Sequence, residues 1–389
     1  MQRFRAFVLG ALVAGCRGGG PEGGPTDPNP GNLRLSVAGG GHNVDGRVTS
    51  DLWVHGKYAY TGTWGGAKGA RAGNVVNIWR LGATGAPALA DSVVVAAITT
   101  VSDLEVSEDG RVLLVASEGT ERAGLYLYSL AEPEHPSLLD TAMVGTGIHT
   151  ATFAVIQGRR YVFAARNPAD PALLIFDVTD PSAITLAASV PVPANYGIHD
   201  TFVRDGLAFV FAWNTGVIIY DVGQGLRSGT PTHPVEVSRL VTKTNGVPGG
   251  PAAHNGWWFH NPATQERRYL FVGQEGPQVV GGHSSGDIHV LDVSDLAAPR
   301  EVAFFHIEGA GTHNFWMDEA RQILYAAYYN AGIVAIDVSG ELRGDISGRL
   351  ISSVKPGGPD ETFTWGVQAV DRSIYASDMI SGLWQLRLE

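Results

Sequence analysis

LLIFDVTDPSA, residues 173–183, is a short apolar run closed by Asp-Val and a turn, and it recurs along the chain. The clear copies are VIIYDVGQG (217–225), IHVLDVSDLAAP (288–299) and IVAIDVSGEL (333–342). Weaker copies are VVNIWRLGATGAP (75–87), LYLYSLAEPEHP (125–136) and LWQLRLE (383–389), which makes seven. Runs this short, rich in β-branched and aromatic residues and bounded by Gly, Pro and Asp, read as strands.

Working outward, each copy is preceded by another β-rich run: YAYTGTW (58–64), RVLLVASE (111–118), YVFAARN (161–167), LAFVFAWN (207–214), YLFVGQE (269–275), ILYAAYYN (323–330) and SIYASD (373–378). A further short strand stands before each of these, and a fourth follows the Asp-Val strand in repeats one to six, as in LAASVPV (186–192). No stretch carries a sustained helical period. Four short strands repeated roughly every 50 residues predict radial blades rather than a helical solenoid.

The repeat resembles that of the bacterial LVIVD-repeat proteins, an apolar strand followed by Val-Asp-Val-Ser-Asp-Pro. DVTDPSA and DVSDLAAP carry the resemblance best, and it extends over about residues 45–389. It implies an architecture and no single chemistry.

The seventh repeat stops at Glu389, after its third strand, while Leu33–Val37 is a spare strand ahead of the first repeat. Letting residues 33–37 complete the last blade removes the exposed edge that an open ring would leave. The expectation is therefore an all-β, seven-bladed β-propeller of four-stranded antiparallel blades over residues 33–389, closed by its N-terminal strand.

The 389 residues carry a net charge of −11, which argues against nucleic acid as a partner. The lone cysteine, Cys16, excludes an internal disulfide. It follows Arg3, Arg5 and a short apolar run ending Leu12-Val13-Ala14-Gly15. That pattern resembles the lipobox of bacterial lipoproteins, which implies a signal peptide at 1–15, lipidation of Cys16 and anchoring to a membrane of the cell envelope. Arg17 after the cysteine favours the outer membrane in a Gram-negative cell. Residues 16–32, rich in Gly and Pro, read as a flexible tether.

Aligning the blades gives one chemical clue. The first strand of each opens at Ser50-Asp51, Ser102-Asp103, His149-Thr150, His199-Asp200, His254-Asn255, His313-Asn314 and Trp365-Gly366. First strands line a propeller's channel, and the second strands end at the same rim, at Glu118, Asn167, Asn214, Glu275, Asn330 and Asp378. His149, His199, His254 and His313 would thus share one rim, with Asn167, Asn214, Glu275 and Asn330 as outer partners. Clustered neutral imidazoles suit Zn, Cu or Fe. Alternatively each histidine hydrogen-bonds the backbone of the neighbouring blade, with no ligand involved. Two functions follow. One is an exported, membrane-anchored binding or scaffold module, taking a protein, peptide or glycan at the channel rim. The other is a metal-binding protein or metalloenzyme using the four histidines.

Overall fold

The computed structural model describes residues 32–389, apart from 43, 45, 67–71, 83–84, 96–97, 167–169 and 193–196. The signal segment 1–15, Cys16 and most of the tether lie outside the described residues, as does Asn167. Seven antiparallel sheets form a propeller. Blade 1 is Val48–His55, Tyr58–Trp64, Val75–Arg80 and Ala88–Val94. Blade 2 is Thr100–Val106, Val112–Ser129 and Ser137–Gly147. Its long segment folds back on itself, with Ser117 Oγ bonded to both N–H and C=O of Gly124 and Leu130 N–H donating to Arg111 O, so it supplies the two middle strands.

Blade 3 is Ala151–Ile156, Arg159–Arg166, Ala172–Asp177 and Thr185–Pro191, and blade 4 is Asp200–Arg204, Leu207–Phe211, Val217–Asp221 and Val235–Leu240. Blade 5 is Ala253–Phe259, Tyr269–Gln274, Ile288–Asp292 and Arg300–Phe305; Gly344–Asp345 adds a parallel edge to it. Blade 6 is Phe315–Asp318, Ile323–Ala327, Ile333–Asp337 and Leu350–Val354. Blade 7 is Thr364–Val370, Ser373–Asp378 and Gly382–Leu388, completed by Leu35–His42.

The closing strand pairs Leu35 with Leu388 and Val37 with Leu386, and Arg34 and Glu389 exchange backbone hydrogen bonds of 2.7 and 3.0 Å. It runs five residues beyond the spare strand expected at 33–37.

The middle strands of each blade are packed on both faces, which is why they read as unbroken apolar runs. Leu113 and Val115 face blade 1, while Leu114 and Ala116 face blade 3. One apolar cluster fills each of the seven blade interfaces, including the one between blades 7 and 1 around Leu52, Trp79, Tyr375 and Leu383. Outer strands such as Thr185–Pro191 are largely exposed.

The Asp of each Asp-Val motif caps the turn behind its strand. Asp221 accepts five backbone N–H bonds, from Gly223, Gln224, Gly225, Arg227 and Gly229. Asp177, Asp292 and Asp337 each accept the N–H two residues on. Among the described residues no helix is long and apolar enough to cross a membrane.

Candidate functional site

The entry to each first strand is a β-bulge, in which two residues oppose one on the second strand. In blade 3, His149 N–H donates to Ala165 O while Ala165 N–H donates to Thr150 O; in blade 6, His313, Ala327 and Asn314 repeat the pattern. In blade 5 the register jumps from Ala253 to Asn255, leaving His254 as the extra residue. Bulges re-aim side chains. Here they give two successive residues of one strand different surroundings, one at the rim and the next in the channel.

The four histidines form a continuous stack. Ring centroids are 4.2 Å apart for His149 and His199, 3.8 Å for His199 and His254, and 4.3 Å for His254 and His313. The first-row side chains also reach the backbone of the next blade: Ser50 Oγ donates to Val101 O, Ser102 Oγ to Ile148 O, His199 Nδ1 to His254 O (3.1 Å) and His313 Nδ1 to Trp365 O (2.7 Å). The backbone-bonding reading of this row therefore holds for two of the four histidines. It does not exhaust them, because Nδ1–H donation leaves each Nε2 as a bare lone pair.

What those lone pairs meet differs by blade. His199 Nε2 is 2.7 Å from His149 Nε2, and His149 Nδ1 is 2.8 Å from Glu118 Oε1. Glu275 Oε2 lies 4.0 Å from His199 Nε2 and 3.7 Å from His254 Nε2. His254 is 1% exposed, and neither of its ring nitrogens has a hydrogen-bond partner. One ligand atom each from His199, His254 and Glu275 falls within 4.8 Å of the others, the separation from which a metal ion could draw them in. Ligands about 2.1 Å from a tetrahedral ion sit about 3.4 Å apart, so modest side-chain movement closes the set.

The electrostatics divide the stack. Burial, with its histidine neighbours adding to it, holds His199 and His254 well below the usual imidazole range, and burial takes His313 to about 3. Burial opposes charge on His149 too, but the Glu118 carboxylate, helped by Glu275, lifts it to about 9. Burial also raises Glu275, against a hydrogen bond from Tyr329. At neutral pH the stack thus holds one imidazolium and three neutral rings.

Asn214 and Asn330 stand elsewhere: Asn214 Oδ1 accepts from Ala252 N–H, and Asn330 binds Ser284 and Gly309 of a blade 5 loop and the segment beyond that blade. Two aromatic residues that sequence reading did not single out hold the stack. Trp213 meets His199 edge-on at 4.8 Å, and Tyr329, 5.0 Å from His313, donates its hydroxyl to Glu275. Both sit in left-handed backbone, at φ 46° and 38°, in the matching turns AWNTG and YYNAG. Non-glycine residues hold such backbone at a cost of about 1 kcal/mol or more, and such strain concentrates at functional sites. The shared turn was the available signal.

One residue further along each strand the side chains turn into the channel. There Asp51, Asp103, Asp200 and Asn255 line a cavity of about 710 Å³, with Trp53, Trp257 and Trp316 two positions on. Asp51 is held well above the usual carboxylate range by burial and by Asp103 beside it.

Comparison with known proteins agrees with this architecture. The family model of the LVIVD repeat matches residues 46–67. Among solved structures, the β-propeller domain of Cps50 (Swd1) from Myceliophteria thermophila superposes with a TM-score of 0.58 at 12% identity, covering 91% of this chain and 98% of that one. The computationally designed Ika8 protein gives 0.56 at 9% identity, covering 90% and 100%. At such identities the likeness is one of fold. Among curated proteins none matches the chain.

Proposed function

We propose that this LVIVD-repeat-bearing, seven-bladed propeller is a metal-binding protein that holds one divalent transition-metal ion on His199 Nε2, His254 Nε2 and Glu275 Oε2. The observation that carries the reading is His254, whose two ring nitrogens are buried without a partner beside a carboxylate. A buried polar atom left unpaired costs about 1–3 kcal/mol, and a metal bond removes that cost at Nε2. The bond from His199 Nδ1 to His254 O supports it, because it fixes the tautomer that presents Nε2.

Two imidazoles and one carboxylate form a donor set of Zn²⁺ and of Fe²⁺, and three protein ligands leave a position open. His149 Nε2 lies 2.7 Å from one of these ligand atoms, His199 Nε2, and is the neighbouring group an ion there would disturb first. With its proton displaced, His149 would be free to turn toward the ion as a fourth ligand. The channel entrance would then be the place where this ring does chemistry or recognises a partner, with the blades as a rigid frame.

Metal analysis of the purified full-length chain, expressed with Zn, Cu and Fe supplied, tests this. The expected result is about one ion per chain, lost in His199→Ala and in His254→Ala and retained in Ser50→Ala. Metal no higher than background would overturn it. Export and envelope anchoring through Cys16 belong to the same proposal and rest on the lipobox residues and the tether. Metabolic labelling with a fatty acid, abolished in Cys16→Ala, checks them.

A further inference from the structure

We infer that the channel beneath the histidine stack is a binding site for a small organic cation, an amine or quaternary ammonium group held between Asp51, Asp103, Glu105 and Asp200 and the faces of Trp53, Trp257 and Trp316. The cavity of about 710 Å³ lies within the range of about 300–1,000 Å³ usual for small-ligand pockets. Period-two alternation builds it. Asp51 and Trp53, Asp103 and Glu105, Asp200 and Phe202, Asn255 and Trp257, and Asn314 and Trp316 are pairs two apart on the first strands of blades 1, 2, 4, 5 and 6.

The ionisable groups are almost all acidic. Seven carboxylate side chains and one arginine line the space, and that arginine, Arg204, is already paired with Glu319. Backbone N–H groups orient the inner carboxylates without neutralising them: Ala151 N–H reaches Asp103 at 2.7 Å, Phe153 N–H reaches Glu105 at 2.7 Å, and Thr201 N–H reaches Asp200 at 2.7 Å. Among the described residues no ion pair joins Asp51, Asp103, Glu105 or Asp200 to an arginine or lysine. A second observation points the same way. Asn255 lines the cavity, is 4% exposed, and its Oδ1 has no hydrogen-bond partner. Burial holds Asp51, Asp103, Glu105 and Asp200 above the usual carboxylate range, so a cation that binds here takes the place of their protons, with Asn255 Oδ1 as a further acceptor.

The remaining wall selects the kind of cation. Trp53 and Trp316 meet edge to face at 6.0 Å, Trp257 and Trp316 at 5.3 Å, and Phe202 lies 5.2 Å from Trp257, so the rings form a continuous band. Glu319 accepts from Trp257 Nε1 and fixes that ring. A bare divalent ion wants oxygen on all sides. An alkylammonium group wants carboxylates on one side and indole faces on the other. No residue named here as a metal ligand lines this cavity, so the two sites fail or stand separately.

Titration calorimetry of the full chain with choline and with its uncharged carbon isostere, dimethylbutanol, tests the inference, with metal content measured on the same samples. Choline should bind saturably with a Kd of about 1 mM or tighter. The isostere should bind roughly tenfold more weakly, and Asp103→Asn and Trp316→Leu should each weaken choline roughly tenfold while metal content is unchanged. Glu105→Gln, which keeps shape and hydrogen bonding, serves where either variant melts early. No saturable heat with choline or with a diamine, equal affinity for the isostere, or Mg²⁺ binding that is indifferent to Trp316→Leu would each overturn it.

Discussion

The Nε2 atoms of His149 and His199 lie 2.7 Å apart, so one proton sits between them. His199 already donates from Nδ1 to His254 O, which leaves its Nε2 as acceptor. The proton therefore belongs to His149, whose other nitrogen faces Glu118. Carboxylate, imidazolium, imidazole and backbone carbonyl form a single hydrogen-bonded line.

An ion that takes His199 Nε2 must displace that proton. Apparent metal affinity should rise by up to about tenfold per pH unit from about pH 6 to about 9, the value to which His149 is lifted, and then level off. Competition against a chromophoric chelator across that range measures it, and a flat profile would refute the arrangement.

Glu118→Gln removes the carboxylate that outweighs burial at His149. The rising limb of the affinity profile should move down by about one pH unit or more, while metal is still bound. Altering a partner of this kind typically changes affinity about 10–100-fold.

Burial holds Glu105 well above the usual glutamate range. The folded chain therefore keeps a proton there that the unfolded chain has lost. Its contribution to stability is present in full below about pH 4.5 and falls away as pH rises through the raised value. Glu105→Gln should leave stability unchanged in acid and raise it by about 1 kcal/mol at alkaline pH, read from denaturant melts at several pH values.

Leu35, 8% exposed, seats the closing strand in the interface between blades 6 and 7. Leu35→Ala should cost about 2–4 kcal/mol. Removing residues up to 42 should leave the outer edge of Gly382–Leu388 unpaired and promote self-association, visible by light scattering.

Asp221→Ala strips one carboxylate from five backbone N–H groups in a single turn. Part of them will find water, so the expected loss is about 2–4 kcal/mol, with Asp221→Asn intermediate.

The ring was legible because its signals are local. Ile175 in a doubly packed strand and Asp177 capping the turn after it announce themselves within ten residues, and the spare strand at 33–37 settled the blade count. The histidines of successive blades were legible as a row for the same reason. Their partners were not, because those are set across blades. Glu275 and Asn330 both follow second strands, yet one faces two imidazoles and the other ties down the segment carrying Ser284. Which happens depends on contacts about 50 residues away in the chain. The bulges escaped notice altogether, since an extra residue such as His254 leaves no mark on composition. Without them the acidic positions next to the histidines could not be recognised as a separate inner surface.

The closing strand also decides where mechanical load enters the molecule. Arg34 and Glu389 are bonded to one another, so any pull arriving from the upstream segment reaches the outer edge of blade 7 first. Directed along the Leu35–His42 strand, it acts in shear, on many ladder bonds at once; directed away from the sheet, it would peel them one by one. The histidine stack opens the first strands of blades 3 to 6, at the channel end of the blades, whereas the seam is on the outer edge of blade 7. Tension would thus strain the ring at its join first, and would reach the stack only through the inner strand of blade 7, where Trp365 O accepts from His313.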